Sequence, residues 1–138
     1  GIGENDPWMR KEILAGLGQP DAARAALQQA VRLTMAGYGP EHSHTRRAEV
    51  SLARLRAGEG AAEALLQLTA YGRSGDGDIE QRKSSWLARA YAAEIECRTR
   101  PDSGRASLEA VLAEMQLVLP EGGAIPREIA AIRKACSL

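Results

Sequence analysis

His42 and His44 are separated by one residue, a spacing from which a zinc site can be started. Tetrahedral zinc needs two further ligands, or one plus an open water position, and Glu41 is the only acid beside the pair. We therefore read His42 and His44 as turn residues and expect no metal. The run Asp76-Gly77-Asp78-Ile79-Glu80 begins like a calcium loop but lacks the later glycine and the distal glutamate. It reads as a polar loop that ends in a helix cap. Glu94 and Glu96 lie two apart, which on a helix points them to different sides and unsuits them for shared acid–base work. Cys97 and Cys136 each lack a second thiol or a histidine at ligand spacing, so two free thiols in a reducing cytosol are expected. No Gly-x-Ser-x-Gly elbow, phosphate-binding loop, dinucleotide fingerprint or cysteine with an identifiable base is present. We expect no catalytic residue, no cofactor and no enzyme activity in this segment.

Interaction chemistry is the remaining class, and it depends on which helices carry the arginines and the tryptophans. The 138 residues fit one domain. With 25 Ala and 15 Leu but no Phe, the composition favours helix over strand, and the fold class is expected to be all-α. Eighteen basic residues against 18 acidic ones give zero formal charge, so no footprint for nucleic acid is visible. No apolar run reaches the roughly 18 residues of a membrane span, and no signal sequence opens the chain. The expected partners thus exclude nucleic acid and membrane, and the expected location is cytoplasmic. Residues 1–6 read as a disordered or tag-derived start of a segment excised from a larger protein.

Gly and Pro punctuate the rest. Helices are predicted over 7–17, from Pro20 to the Gly37–Pro40 break, over 45–57, 61–71, 79–98 and 101–118, and a last one over 126–135. A period runs through them. Ala23, Leu27 and Ala30 correspond to Ala64, Leu68 and Tyr71 and then to Gly104, Leu108 and Val111, steps of 41 and 40 residues. Leu14, Leu55 and Ile95 keep the same step in the preceding helices. The repeating unit is a helix pair in which a small residue permits close approach, and the predicted architecture is an α-solenoid.

Residues 18–30, Gly18-Gln19-Pro20-Asp21-Ala22-Ala23-Arg24-Ala25-Ala26-Leu27-Gln28-Gln29-Ala30, resemble the turn and second helix of a tetratricopeptide repeat: Gly, Ala five later, a large apolar residue four further on, and Ala three after that. The stretch Tyr38-Gly39-Pro40-Glu41-His42-Ser43-His44-Thr45, with Leu52-Ala53 and Gly58/Gly60, is similar to the longer repeat of kinesin light chains and of many bacterial regulatory proteins. Ser43 stands where that repeat has proline, and the third pair keeps only Gly104 and Leu108 of the signature. The resemblance implies an α-α superhelix of about three helix pairs, with repeats over 7–37, 44–72 and 78–118 and a capping helix over 126–135, all in one domain, 7–138. It also implies a non-catalytic protein-interaction module whose inner groove is lined by the first helix of each pair. A parent protein with a serine/threonine kinase or another bacterial signalling domain is implied by analogy.

Removing the core stripe from the first helices leaves candidate groove residues. These are Arg46, Glu49 and Arg56 on one helix and Arg82, Trp86, Arg89 and Glu96 on the next, at helical spacing. They suit an acidic or amphipathic protein segment. A carboxylate clamp with paired Asn is not expected, because Asn5 is the sole asparagine. Trp8, Met9 and Ile13 are expected to self-associate as an uncovered N-terminal face. Two other readings stay open: an all-α enzyme or ligand-binding bundle with its site among Arg82, Trp86, Arg89 and the thiols, and a structural spacer between domains.

Overall fold

The computed structural model describes residues 20–73, 77–120 and 122–136. Among them are six helices and no strand: α1 (Pro20–Tyr38), α2 (Ser43–Arg56), α3 (Ala61–Arg73), α4 (Ile79–Glu96), α5 (Pro101–Val118) and α6 (Ala124–Cys136). The helix expected over 7–17, with Trp8, Met9, Ile13 and Leu14, lies outside the described residues.

Local chemistry sets the boundaries. Gly39 ends α1 with a φ of 88°, a left-handed conformation that costs glycine nothing. His42 then caps α2, its Nδ1 accepting the His44 N–H at 3.1 Å. His42 is thus the turn residue expected, whereas His44 stands in the first turn of α2; their rings stack on each other and on Tyr38. The fully buried Thr45 hydroxyl donates to the Gly39 carbonyl at 2.7 Å and locks α2 to the end of α1. Asp78 caps α4 by accepting the Gln81 N–H at 2.9 Å. Pro101 opens α5, where a missing N–H costs nothing.

The turn after α2 and the turn after α4 are built alike. The N–H groups of Glu59 and Gly60 both donate to the Arg56 carbonyl, at 2.8 and 3.0 Å; those of Thr99 and Arg100 both donate to the Glu96 carbonyl, at 3.1 and 2.8 Å. Ala57 to Ala53 and Cys97 to Ala93 repeat the match one step earlier. The two hairpins, α2–α3 and α4–α5, therefore share one backbone turn at an offset of 40 residues. Buried positions follow the offset. Ala23, Ala64 and Gly104 are buried, as are Leu27, Leu68 and Leu108 at 0% exposure. Ala30 and Val111 are buried too, whereas Tyr71 is only half-buried because its phenol reaches Glu49.

Each helix packs on its neighbours in sequence, and α4 also packs on α2 and α6. The cross-links between α2 and α4 join beginning to beginning (Gln81 to Glu41) and end to end (Arg54 to Glu94), so these two helices run parallel. Helices α2, α4 and α6 form one layer and α1, α3 and α5 the other. The core lies between the layers, with Val50, Leu68, Leu87, Leu108 and Ile129 in its interior.

Cys97 and Cys136 are not free: they form a disulfide, with Cα atoms 5.7 Å apart, that ties the last residue of α6 to the end of α4. The expected pair of free thiols is corrected. A separation of 39 positions in sequence hid the pairing, because α6 folds back to lie beside α4. Gly104 faces this bond. A Cβ there would sit 2.8 Å from the Ala93 carbonyl oxygen and 2.9 Å from the Cys97 nitrogen, so no side chain fits.

Candidate functional site

Of the seven residues expected to line one groove, Glu49 and Arg56 line one cleft, Arg82, Trp86 and Arg89 another, and Arg46 and Glu96 lie outside both. Glu49 and Arg56 of α2 line a cleft of about 470 Å³ with Gln28 and Arg32 of α1 and Tyr71 of α3. Arg46 stands next to it and pairs with Glu41 at 2.5 Å; its buried Nε has no hydrogen-bond partner. Glu49 accepts the Tyr71 hydroxyl proton. Burial first, and then this bond to a carboxylate, hold the Tyr71 phenol well above its ordinary pKa.

Arg82, Trp86 and Arg89 of α4 line a second cleft, of about 510 Å³, between Gly72 and Arg73 of α3 and Glu114 of α5. Trp86 is a wall of this cleft and not a projecting anchor, for it is only 2% exposed and packs in the core. Arg82 lies over its ring, 5.4 Å from the centroid, in cation–π geometry. Arg89 pairs with Glu114 at 2.8 Å and bridges α4 to α5. The hydrogen bond from Arg89 holds the Glu114 carboxyl below the usual carboxylate range, against a smaller opposing effect of burial. Glu96 belongs to neither cleft: it accepts from Ser103 at 2.8 Å and lies 3.7 Å from Arg100, fastening the turn before α5.

The layer of α2, α4 and α6 carries a further set, which the helical-face reading missed. Arg54 of α2 makes a two-pronged bond to Glu94 of α4, at 2.9 and 3.0 Å, and lies 3.4 Å from Glu128 of α6. Its guanidinium also sits over the Tyr91 ring, 4.4 Å from the centroid, and the Tyr91 hydroxyl donates to Glu128 at 2.5 Å. Burial opposes the charge on Arg54, but the Glu94 bond and the fields of Tyr91, Glu94 and Glu128 outweigh it and raise its pKa. Nearby, Arg47 donates to Ser84 at 3.3 Å and lies 3.9 Å from Glu80; burial dominates there and lowers its pKa. This network satisfies its own charges and joins three helices. One signal for it was present in the sequence: Arg54 and Glu94 are opposite charges 40 residues apart, positions that the parallel helices α2 and α4 set side by side.

Among the described residues, no group of three or more His, Cys, Asp and Glu is arranged to hold a metal ion. Nor is any of their helices long and apolar enough to cross a membrane. Asp78 of the acidic run is the expected cap, while Asp76 lies outside the described residues. No protein-family model matches the chain, and neither a curated protein nor a solved structure does.

Proposed function

We propose that this segment is a non-catalytic protein-interaction module, a stack of helical hairpins of the tetratricopeptide type with α6 as its closing helix. One observation carries the reading: the hairpins α2–α3 and α4–α5 share a turn hydrogen-bond pattern at a 40-residue offset, and the first helix of one lies parallel to that of the next. Repeated hairpins of this kind add surface linearly and leave clefts between successive units, which is how solenoids present binding surfaces to peptides. The arginine-lined clefts on either side of α3 supply charged, partly open recognition chemistry. A role in a larger regulatory or signalling protein, including one with a kinase domain, follows from the family resemblance.

The location is proposed differently from the cytosol first expected. A disulfide that fastens the closing helix suits an oxidising compartment, where such bonds form and persist. The experiment for the functional reading is selection from a displayed random-peptide library against the folded 138-residue chain. Enrichment of a shared motif, with micromolar binding of the synthetic peptide by calorimetry, is expected. A library that yields no binder removes the interaction reading and favours a spacer.

A further inference from the structure

The cleft at Arg82 does not end there. Through Gly72, Arg73 and Arg89 it continues into a second hollow of about 370 Å³ lined by Thr69, Ala92, Ala110 and Val111. Together they form a trough with α3 and α5 as walls and α4 as floor. From Arg82 to Ala92 the floor spans ten residues of helix, about 15 Å, the length of four or five extended residues. The two ends differ in chemistry. One holds guanidinium groups; the other, past Arg73 and Arg89, is lined by small side chains, aliphatic at Ala92, Ala110 and Val111 and hydroxyl-bearing at Thr69 and Ser107.

At the charged end, three arginines face one carboxylate, Glu114, and Arg89 already occupies that carboxylate at 2.8 Å. Among the described residues no acid lies within ion-pair distance of Arg73 or Arg82. Trp86 orients the Arg82 guanidinium through its ring face without neutralising it. Gly72 contributes by lacking a side chain: a Cβ would lie 2.8 Å from Arg89 Cγ, so glycine lets the Arg89 stem cross the wall of the trough. Arg82 and Arg89 stand two helical turns apart, about 10 Å along the floor. Positive charge spread in this way matches separate carboxylates on an extended strand better than one compact phosphate, which needs guanidinium groups that converge. Glu114 in the wall adds a further penalty for a dianion.

Resting on the interaction reading above, we infer that the α3–α5 trough is the partner site and that it takes an extended peptide with two acidic side chains followed by a small apolar one. The test is fluorescence anisotropy with the 138-residue chain at low salt. The probe is a labelled synthetic peptide with two glutamates ahead of an alanine–leucine stretch, beside its glutamine and phosphoserine counterparts. The glutamate peptide should bind at least about tenfold tighter than the glutamine one, and the preference should fade as salt rises. The R73E/R82E variant should lose that preference, the R73Q/R82Q variant should lose most of it, and R127E on α6 should keep it. Circular dichroism would establish that each variant is folded, and among the described residues neither Arg73 nor Arg82 holds an ion pair whose loss would unfold it. Equal binding of the glutamate and glutamine peptides, or an unchanged preference in R73E/R82E, overturns the trough assignment. Tighter capture of the phosphoserine peptide overturns the carboxylate ligand. Library-selected peptides that bind R73E/R82E as well as the parent chain would remove this site and leave the interaction reading standing.

Discussion

Tyr71 links residue chemistry to a measurable pH dependence. Its phenol is held above the ordinary tyrosine value of 10.0 by burial and then by the bond to Glu49. A group whose pKa is raised on folding stabilises the fold below its unfolded value and loses that contribution as pH climbs toward the folded value. Stability should therefore fall as pH rises above about 10, and Y71F should flatten this alkaline limb in urea titrations followed by circular dichroism. An unchanged limb would show that the phenol does not stay protonated in the folded chain. Gly104 is the sharpest steric position. Because a methyl group there would meet the Ala93 carbonyl and the Cys97 nitrogen, G104A should destabilise by about 1–3 kcal/mol despite alanine's higher helix propensity. Equal or greater stability of G104A would mean that the hairpin relaxes freely. The small residue at 104 was legible from the period; the reason that it must be glycine was not, since that depends on how closely α5 approaches α4.

Among the elements, Gly and Pro made the helices readable. The helix at Pro101–Val118 has the bounds expected of it, and the others among the described residues shift by no more than a few residues. What the spacing did not convey was the side on which each helix shows its polar residues. The candidate line on α2 and α4 was assigned to an inner groove lined by the first helices, and the structure adds that Glu49 bonds Tyr71 of α3 and Arg89 pairs with Glu114 of α5. A helix wheel separates buried from polar faces but cannot tell two polar faces apart. The disulfide was equally hidden. It closes a loop of about 40 residues, for which loop-closure entropy gives about 4 kcal/mol of stabilisation. C97S/C136S, or the parent chain in dithiothreitol, should lose most of that in guanidinium denaturation. No change on reduction would show that α6 holds by packing alone, through Ile129 and Ile132.

At the scale of the whole molecule, α4 is the element on which the others depend, because it packs against α2, α3, α5 and α6. It also carries nine of the buried residues: Ser84, Ser85, Trp86, Leu87, Ala88, Ala90, Tyr91, Ala93 and Ile95. Native-state hydrogen exchange should find its slowest amides there, with those of α1 exchanging well before. Equal protection across α1 and α4 would indicate a single cooperative block. The all-helical class was legible because composition alone opposes strands, and the 40-residue offset because the same small and large residues recur at it. The opposite charges of Arg54 and Glu94 were readable at that offset, but the part of Glu128 in their network depends on where α6 packs.

Two hairpins with one turn geometry carry a folding hazard: during refolding, the later one can settle in the berth of the earlier and leave the chain out of step by a full unit. The sulfur bridge tells them apart. Ala57 occupies in the first hairpin the place that Cys97 takes in the second, so only the second can be oxidised to Cys136. Once formed, that bond works as a key for the correct order of assembly, and a chain without cysteines would be the one to show mispaired or exchanged units.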